Sequence, residues 1–229
     1  MLFSMRHDAP EPDAIAEHLR GFGPVGLLAI VAILAGNIFF VPLSALIVLL
    51  WAWRARISWS EIGFVRPAHW PRLIIAGLAF GIAFKLLMKS VVMPLLGAPP
   101  LNPAFQFLVG NSAALPGILY LVVVGAGFGE EVVFRGYAFE RLGRLFGKST
   151  GAKIAIVLLT SAWFGADHYP LQGIAGVQQA TIVGLTFGTI FAITRRLSLL
   201  IFAHAAFDLT AVAIIYWNLE MKIAHLIFR

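Results

Sequence analysis

Apolar and polar positions alternate along this chain in long blocks. Six apolar runs, at about 25–52, 73–95, 115–139, 152–170, 174–194 and 198–218, are separated by short polar connections. Helical segments of about 20 apolar residues cross a bilayer core ~30 Å thick. The pattern therefore predicts an all-α, polytopic helical membrane protein with about six transmembrane helices.

The polar connections add an orientation. Arg54, Arg56, Arg66 and Arg72 follow the first run, Arg141, Arg144, Lys148 and Lys153 follow the third, and Arg195 and Arg196 follow the fifth. The stretch 96-LGAPPLNPAFQFLVGNSAAL-115 carries no charge, and 167-DHYPLQG-173 has no Lys or Arg. Under the positive-inside rule this alternation places both termini outside. Residues 1–24 read as a polar N-terminal segment without the basic n-region of a cleavable signal peptide. Residues 219–229 place Leu219, Ile223, Leu226 and Ile227 on one helical face, as in an interfacial helix. Between them, 25–218 reads as a single helical membrane domain with no internal repeat.

Composition agrees. The chain is 60% hydrophobic and only 12% charged, with a mean hydropathy of +0.88. Soluble domains carry about 25% charged residues, which excludes a soluble reading. The net charge of +6 is accounted for by topology-setting loops. No basic run with interleaved aromatics stands outside the apolar segments, so no nucleic-acid partner is expected. The absence of cysteine removes disulfides, thiol nucleophiles and Cys-ligated zinc.

Ionisable groups inside membrane segments are costly unless paired or set against a wet cavity, which makes each a functional candidate. The candidates are Lys85, Lys89, Glu130, Glu131, Arg135, Asp167, His168, His204 and Asp208. In 125-GAGFGEEVVFRGYAFERL-142, Glu131 and Arg135 are i,i+4 neighbours in the favourable order. Glu130 is turned about 100° away and left without a partner on its own helix. A carboxylate so placed suits a general base; the segment alone equally suits an ion-pair cluster joining two helices. The 125-GAGFG-129 run predicts a helix break just before it. In 161-SAWFGADHYP-170, Phe164 and His168 share a face, with Asp167 beside them, and an interfacial histidine fits equally well. In 201-IFAHAAFDLT-210, His204 and Asp208 lie one turn apart. Counted from flanking basic residues, Glu130, His168 and His204 lie about 16, 22 and 12 Å into the core.

The ordered set of 130-EEVVFR-135 (EExxxR), 164-FGADH-168 (FxxxH) and 204-HAAFD-208 (HxxxD) resembles the CPBP family. That family comprises the type II CAAX prenyl proteases and prokaryotic relatives associated with bacteriocin processing and self-immunity. The resemblance covers about residues 115–210 and leaves the first two runs unmatched. It implies an intramembrane endopeptidase whose helices enclose a polar, water-accessible cavity, in an integral multi-pass protein of a prokaryotic plasma membrane. Its substrate would be a peptide or protein, lipidated or not, met within the bilayer. Glu130 and His168 would activate water, and His204 and residue 208 would bind the substrate carbonyl and oxyanion. Glu131, Arg135 and Phe164 would support them. Eukaryotic CAAX proteases usually carry Asn at the last position, whereas this chain has Asp208. Three roles stay open for it: a protonated donor, an orienting group for His204, or a metal ligand. Glu130, His168, His204 and Asp208 would make an acceptable ligand set for zinc, but no HExxH is present, and a metal-free glutamate mechanism is the expectation.

Other readings compete. Ser112, in 110-GNSA-113, has no supporting partner, and an Asp167–Asp208 pair would have to converge at one depth. A proton-coupled transporter would use mid-membrane Glu, His and Asp, with Lys85 and Lys89 as further cations. It leaves the motif order unexplained. A non-catalytic immunity or scaffold protein would not need every motif position filled.

Overall fold

The computed structural model describes residues 13–39 and 41–228, and every regular element among them is helical. The first twelve residues of the polar segment predicted at 1–24 lie outside the described residues. The helices are α1 (Ala14–Arg20), α2 (Pro24–Phe39), α3 (Val41–Arg54), α4 (Trp70–Leu95), α5 (Ser112–Phe146), α6 (Thr150–Asp167), α7 (Tyr169–Thr194), α8 (Leu197–Tyr216) and α9 (Glu220–Ala224). Local chemistry sets their ends. Asp13 caps α1 by accepting from the Ala16 N–H, and Ser149 caps α6 by accepting from the Ala152 N–H. Pro71, Pro116 and Pro170 stand in first turns, where a missing N–H costs nothing. Gly147, at φ 85°, ends α5 in a conformation that favours glycine.

The first apolar run departs from its expected single crossing. The run divides into α2 and α3, and Pro42 stands in the first turn of α3, where its missing N–H costs nothing. These pack against each other as an antiparallel hairpin. Ser44 Oγ donates to the Ile33 carbonyl at 2.8 Å, and Gly36 lies against Ser44 and Ile47. The end of α3 returns to α1, where Trp51 Nε1 donates to the Leu19 carbonyl at 3.1 Å and Arg20 binds the carbonyls of Ala55 and Arg56.

The span count changes accordingly. Among the described residues, α4, α5, α7 and α8 are long and apolar enough to cross a membrane. A fifth crossing requires α1 and α2, bent by 59°, to act as one broken span. The expected six are not reproduced. The hairpin also reverses the expected placement of the N-terminal side. Arg141 donates to the carbonyls of Arg20 and Gly21 at 2.7 Å each, and Arg144 and Arg195 meet Glu61. The segment entering α1 therefore sits at the basic end of the molecule, with the arginine-rich loops.

Helix α8 forms the centre, packed along α4 and α5, while α6 pairs with α7 and α3 covers α5. Small residues permit the close approaches. In 77-GLAFG-81 of α4, a Cβ at Gly81 would come within 2.1 Å of the Ala203 carbonyl oxygen, and one at Gly77 within 2.9 Å of the Leu199 oxygen. Phe80, Phe84, Phe187 and Phe207 fill the space beyond this seam, with ring centroids 5.6–6.1 Å apart. Leu28, Ile75, Leu159 and Ile193 are exposed on the outer surface, as lipid-facing positions require. Helix α9 buries Glu220 and Ala224 and leaves Leu226 and Ile227 beyond it exposed.

Candidate active site

Helix α5 carries the paired carboxylates in an unusual winding. Instead of breaking at 125-GAGFG-129, it runs through as a π-helix from Leu121 to Tyr137, closed by the Ala138 N–H bonding the Val133 carbonyl. Such windings are rare and concentrate at functional sites. The expected break is absent because the glycines serve contact. A Cβ at Gly127 would lie 2.8 Å from the Ala205 Cβ, so α5 and α8 meet there without a side chain between them. Gly125 instead faces open space and lines a cavity. The contact brings Glu130 and Glu131 beside His204.

Glu131 is fully buried and accepts from Arg135 Nη1 at 2.8 Å through Oε1. The same oxygen meets His204 Nδ1 at 2.7 Å, a link across 73 positions. A carboxylate here accepts only, so Nδ1 carries the proton and Nε2 is turned toward the cavity. There it lies 3.7 Å from Glu130 Oε2 and 3.6 Å from Asp208 Oδ2. The guanidinium of Arg135 is sandwiched by Phe164 and Phe187, 4.7 and 5.7 Å from their ring centroids. Phe164 thus holds the arginine that holds the glutamate that holds the histidine.

Glu130 differs from its neighbour. Its Oε2 is buried and makes no hydrogen bond, and the side chain lines a cavity of ≈ 460 Å³. His168, His204 and Asp208 line the same cavity. His168 Nδ1 bonds the Phe164 carbonyl at 2.8 Å, again an acceptor only, which leaves Nε2 as a free lone pair in the neutral ring. Asp167 also lines the cavity and accepts from Asn37 Nδ2 at 3.3 Å. All the residues of the three motifs are thus in or directly behind one cavity. Ser112 is exposed and is not among its walls.

The two lysines have separate roles. Lys89 does not reach outward; it pairs with the buried Glu220 at 2.8 Å. Glu220 also accepts from the Asn102 N–H and from Gln106, tying α9 and the uncharged 96–115 stretch to α4. Lys85 lines the cavity, donates to Gln179 Oε1 at 3.0 Å, and stands 4.7 Å from the Phe207 ring centroid. The cross-helix partners Asn37, Gln179 and Glu220 carry no motif signal in the sequence. Among the described residues, no three His, Asp or Glu side chains are grouped to hold one metal ion.

Comparison with known proteins bears on the same segment. Residues 112–210 match the family model described as type II CAAX prenyl endopeptidase Rce1-like. No curated protein and no solved structure matches the chain. The match spans α5 to most of α8 and ends two residues past Asp208, almost coincident with the resemblance drawn from the motifs.

Proposed function

We propose, on the premise that residues 112–210 form a type II CAAX prenyl endopeptidase Rce1-like domain, that this integral membrane protein hydrolyses a peptide bond with a water activated by Glu130. The observation that carries the reading is the contrast between two adjacent carboxylates. Glu131 is consumed by Arg135 and His204, while Glu130 presents an unbonded, buried oxygen to the cavity. That is the state a general base needs before substrate arrives.

In this scheme a water lies between Glu130 Oε2 and the free Nε2 of His168. Its oxygen attacks the scissile carbonyl carbon as its proton moves to Glu130. The developing oxyanion is met by Nε2–H of His204 in its imidazolium form, a charge balanced by Glu131 behind the ring and Asp208 beside it. The C–N bond then breaks, the amine nitrogen takes the proton from Glu130, and a carboxylic acid and an amine leave. The 3.6 Å separation from Nε2 supports the orienting role for Asp208 among the three left open by the sequence. Phe105, Leu108, Ile118, Leu121 and Val122 give the cavity apolar walls, which supports a substrate bearing an apolar segment or a lipid. A prokaryotic plasma membrane is the proposed location.

Purified protein in proteoliposomes, offered prenylated and non-prenylated peptides, tests the scheme. Glu130→Gln and His168→Ala are expected to abolish cleavage while leaving the fold intact. Cleavage that survives Glu130→Gln refutes the mechanism. Proton or solute flux without peptide cleavage favours a transporter instead.

A further inference from the structure

Most arginines at the basic end of the molecule are engaged. Arg54 and Arg56 share Asp13, Arg144 meets Glu61 and Glu140, and Arg20, Arg141 and Arg195 hold backbone carbonyls. Arg72 and Arg196 differ. Among the described residues neither guanidinium has a carboxylate in ion-pairing distance or an acceptor in hydrogen-bond reach. The segments that carry them supply none, since positions 62–129 and 168–207 contain no Asp or Glu.

Both side chains belong to one feature. Arg72 lies in the first turn of α4 and Arg196 caps α8. With His69 they line a second cavity, of ≈ 280 Å³, whose other walls include Leu73, Ala76 and Leu199. No residue lines both this cavity and the one that holds Glu130. The glycine seam fixes its place, because a Cβ at Gly77 would lie 2.9 Å from the Leu199 oxygen. Helices α4 and α8 thus begin side by side, with the cations at their starts. Ala76 lies one helical turn, about 6 Å, deeper than Arg72. The neighbouring Trp70 and Ile75 are exposed, so the groove has a cationic rim and an apolar floor that opens toward the bilayer.

We propose that this groove binds an anionic phospholipid, its phosphodiester held by Arg72 and Arg196 with His69 beside it, and the start of an acyl chain lying over Leu73, Ala76 and Leu199. Guanidinium forks match phosphate oxygens two at a time, and two of them in one cavity without a carboxylate call for an anion. A free phosphate would use the rim alone; the apolar floor commits the site to a lipid. The basic end of a membrane protein also faces the leaflet whose anionic lipids attract Arg and Lys. Bound there, the lipid bridges α4 and α8 at the start of the seam and holds them together.

Detergent-solubilised full-length protein, offered equal phosphatidylglycerol and phosphatidylcholine with identical acyl chains, tests the site by native mass spectrometry of the retained lipid. The wild type is expected to retain phosphatidylglycerol with about 10- to 100-fold preference, the scale of a charge-assisted hydrogen bond. Arg72→Gln/Arg196→Gln should abolish that preference. Lys148→Gln/Lys153→Gln removes the same charge from exposed positions around the start of α6 and should leave it intact. No preference in the wild type, or equal loss in the two double variants, overturns the site. Ala76→Phe fills the floor without altering charge and should also lower retention; unchanged retention overturns a lipid occupant. So does displacement of the lipid by inorganic phosphate at equal concentration, which would assign the rim to free phosphate. The unfolding midpoint supplies a second measurement. In phosphatidylcholine alone the arginine variant should match the wild type, and added phosphatidylglycerol should raise only the wild-type midpoint, whereas an equal rise in both refutes the proposal. None of these readouts depends on peptide hydrolysis.

Discussion

Replacing Glu131 by Gln keeps the shape of the side chain and removes only its charge. The carboxylate at this position is fully buried and its Oε1 serves both Arg135 at 2.8 Å and His204 at 2.7 Å. The substitution leaves a guanidinium 2% exposed, between two phenylalanine rings, with no counter-ion. Removing one partner of a buried pair costs about 3–5 kcal/mol, most of it the cost of the stranded charge. Glu131→Gln should therefore lower unfolding free energy by that amount in detergent-solubilised protein, read from denaturant midpoints at constant slope. Arg135→Met alone strands the glutamate and should cost a similar amount. The double variant Glu131→Gln/Arg135→Met strands neither charge and should lose less than the sum of the two single losses. A double-mutant cycle with coupling below about 0.5 kcal/mol, within the range of independent sites, would refute a structural pair. Activity supplies the second readout. His204 loses its fixed tautomer when the amide replaces the carboxylate, so kcat should fall in the fraction that remains folded. Full activity in a strongly destabilised Glu131→Gln protein would separate His204 from the relay and overturn its assigned orientation.

Further expectations concern the scaffold and the chemistry. Gly81→Ala places a Cβ 2.1 Å from a backbone oxygen that cannot rotate away, so a loss of at least about 1–3 kcal/mol is expected. Gly143→Ala, with nothing within 4 Å, should be neutral or stabilising by up to about 1 kcal/mol; equal effects in unfolding assays would contradict the seam. The Ala16 N–H bond, aided by Arg54, holds the Asp13 carboxyl below its ordinary 3.8. Its contribution is present above that value and lost as pH falls through the lower folded value. The unfolding midpoints of wild type and Asp13→Asn should therefore differ near neutral pH and converge toward pH ~2. Peptide cleavage should survive exhaustive chelation, and a loss reversed only by added zinc would contradict the metal-free scheme.

Much of the site was legible because it rests on short helical spacings. Glu131–Arg135 and Phe164–His168 are i,i+4 relations, and both are realised. The unpaired state of Glu130 followed from the same geometry. What stayed hidden depends on tertiary register. The Glu131–His204 bond requires α5 and α8 to touch at Gly127 and Ala205, and nothing local to either segment specifies that. The glycines read as a break for the same reason, since a contact glycine and a hinge glycine look alike without the partner helix. Hydropathy erred at 25–52 because both arms of the hairpin are apolar, so the turn leaves no polar mark. Pro42 was the available signal. Lys89 and Glu220 are far apart in sequence, so their pairing could not be read from either segment alone.

The seam between α4 and α8 divides the protein into a part that can drift and a part that cannot. With Gly81 against a backbone oxygen, these helices cannot slide or separate by even a methyl group without unpacking. The spacing from Lys85 to His204 and Asp208 is thus set by main chain and is inherited whole. The opposite wall differs, because Ile118, Leu121 and Val122 line the cavity from the half of α5 whose outer side chains are exposed and where Gly117 and Gly125 meet nothing. Selection for a new substrate has its freedom there, altering what apolar body is admitted while the spacing of the polar groups on α4 and α8 stays fixed.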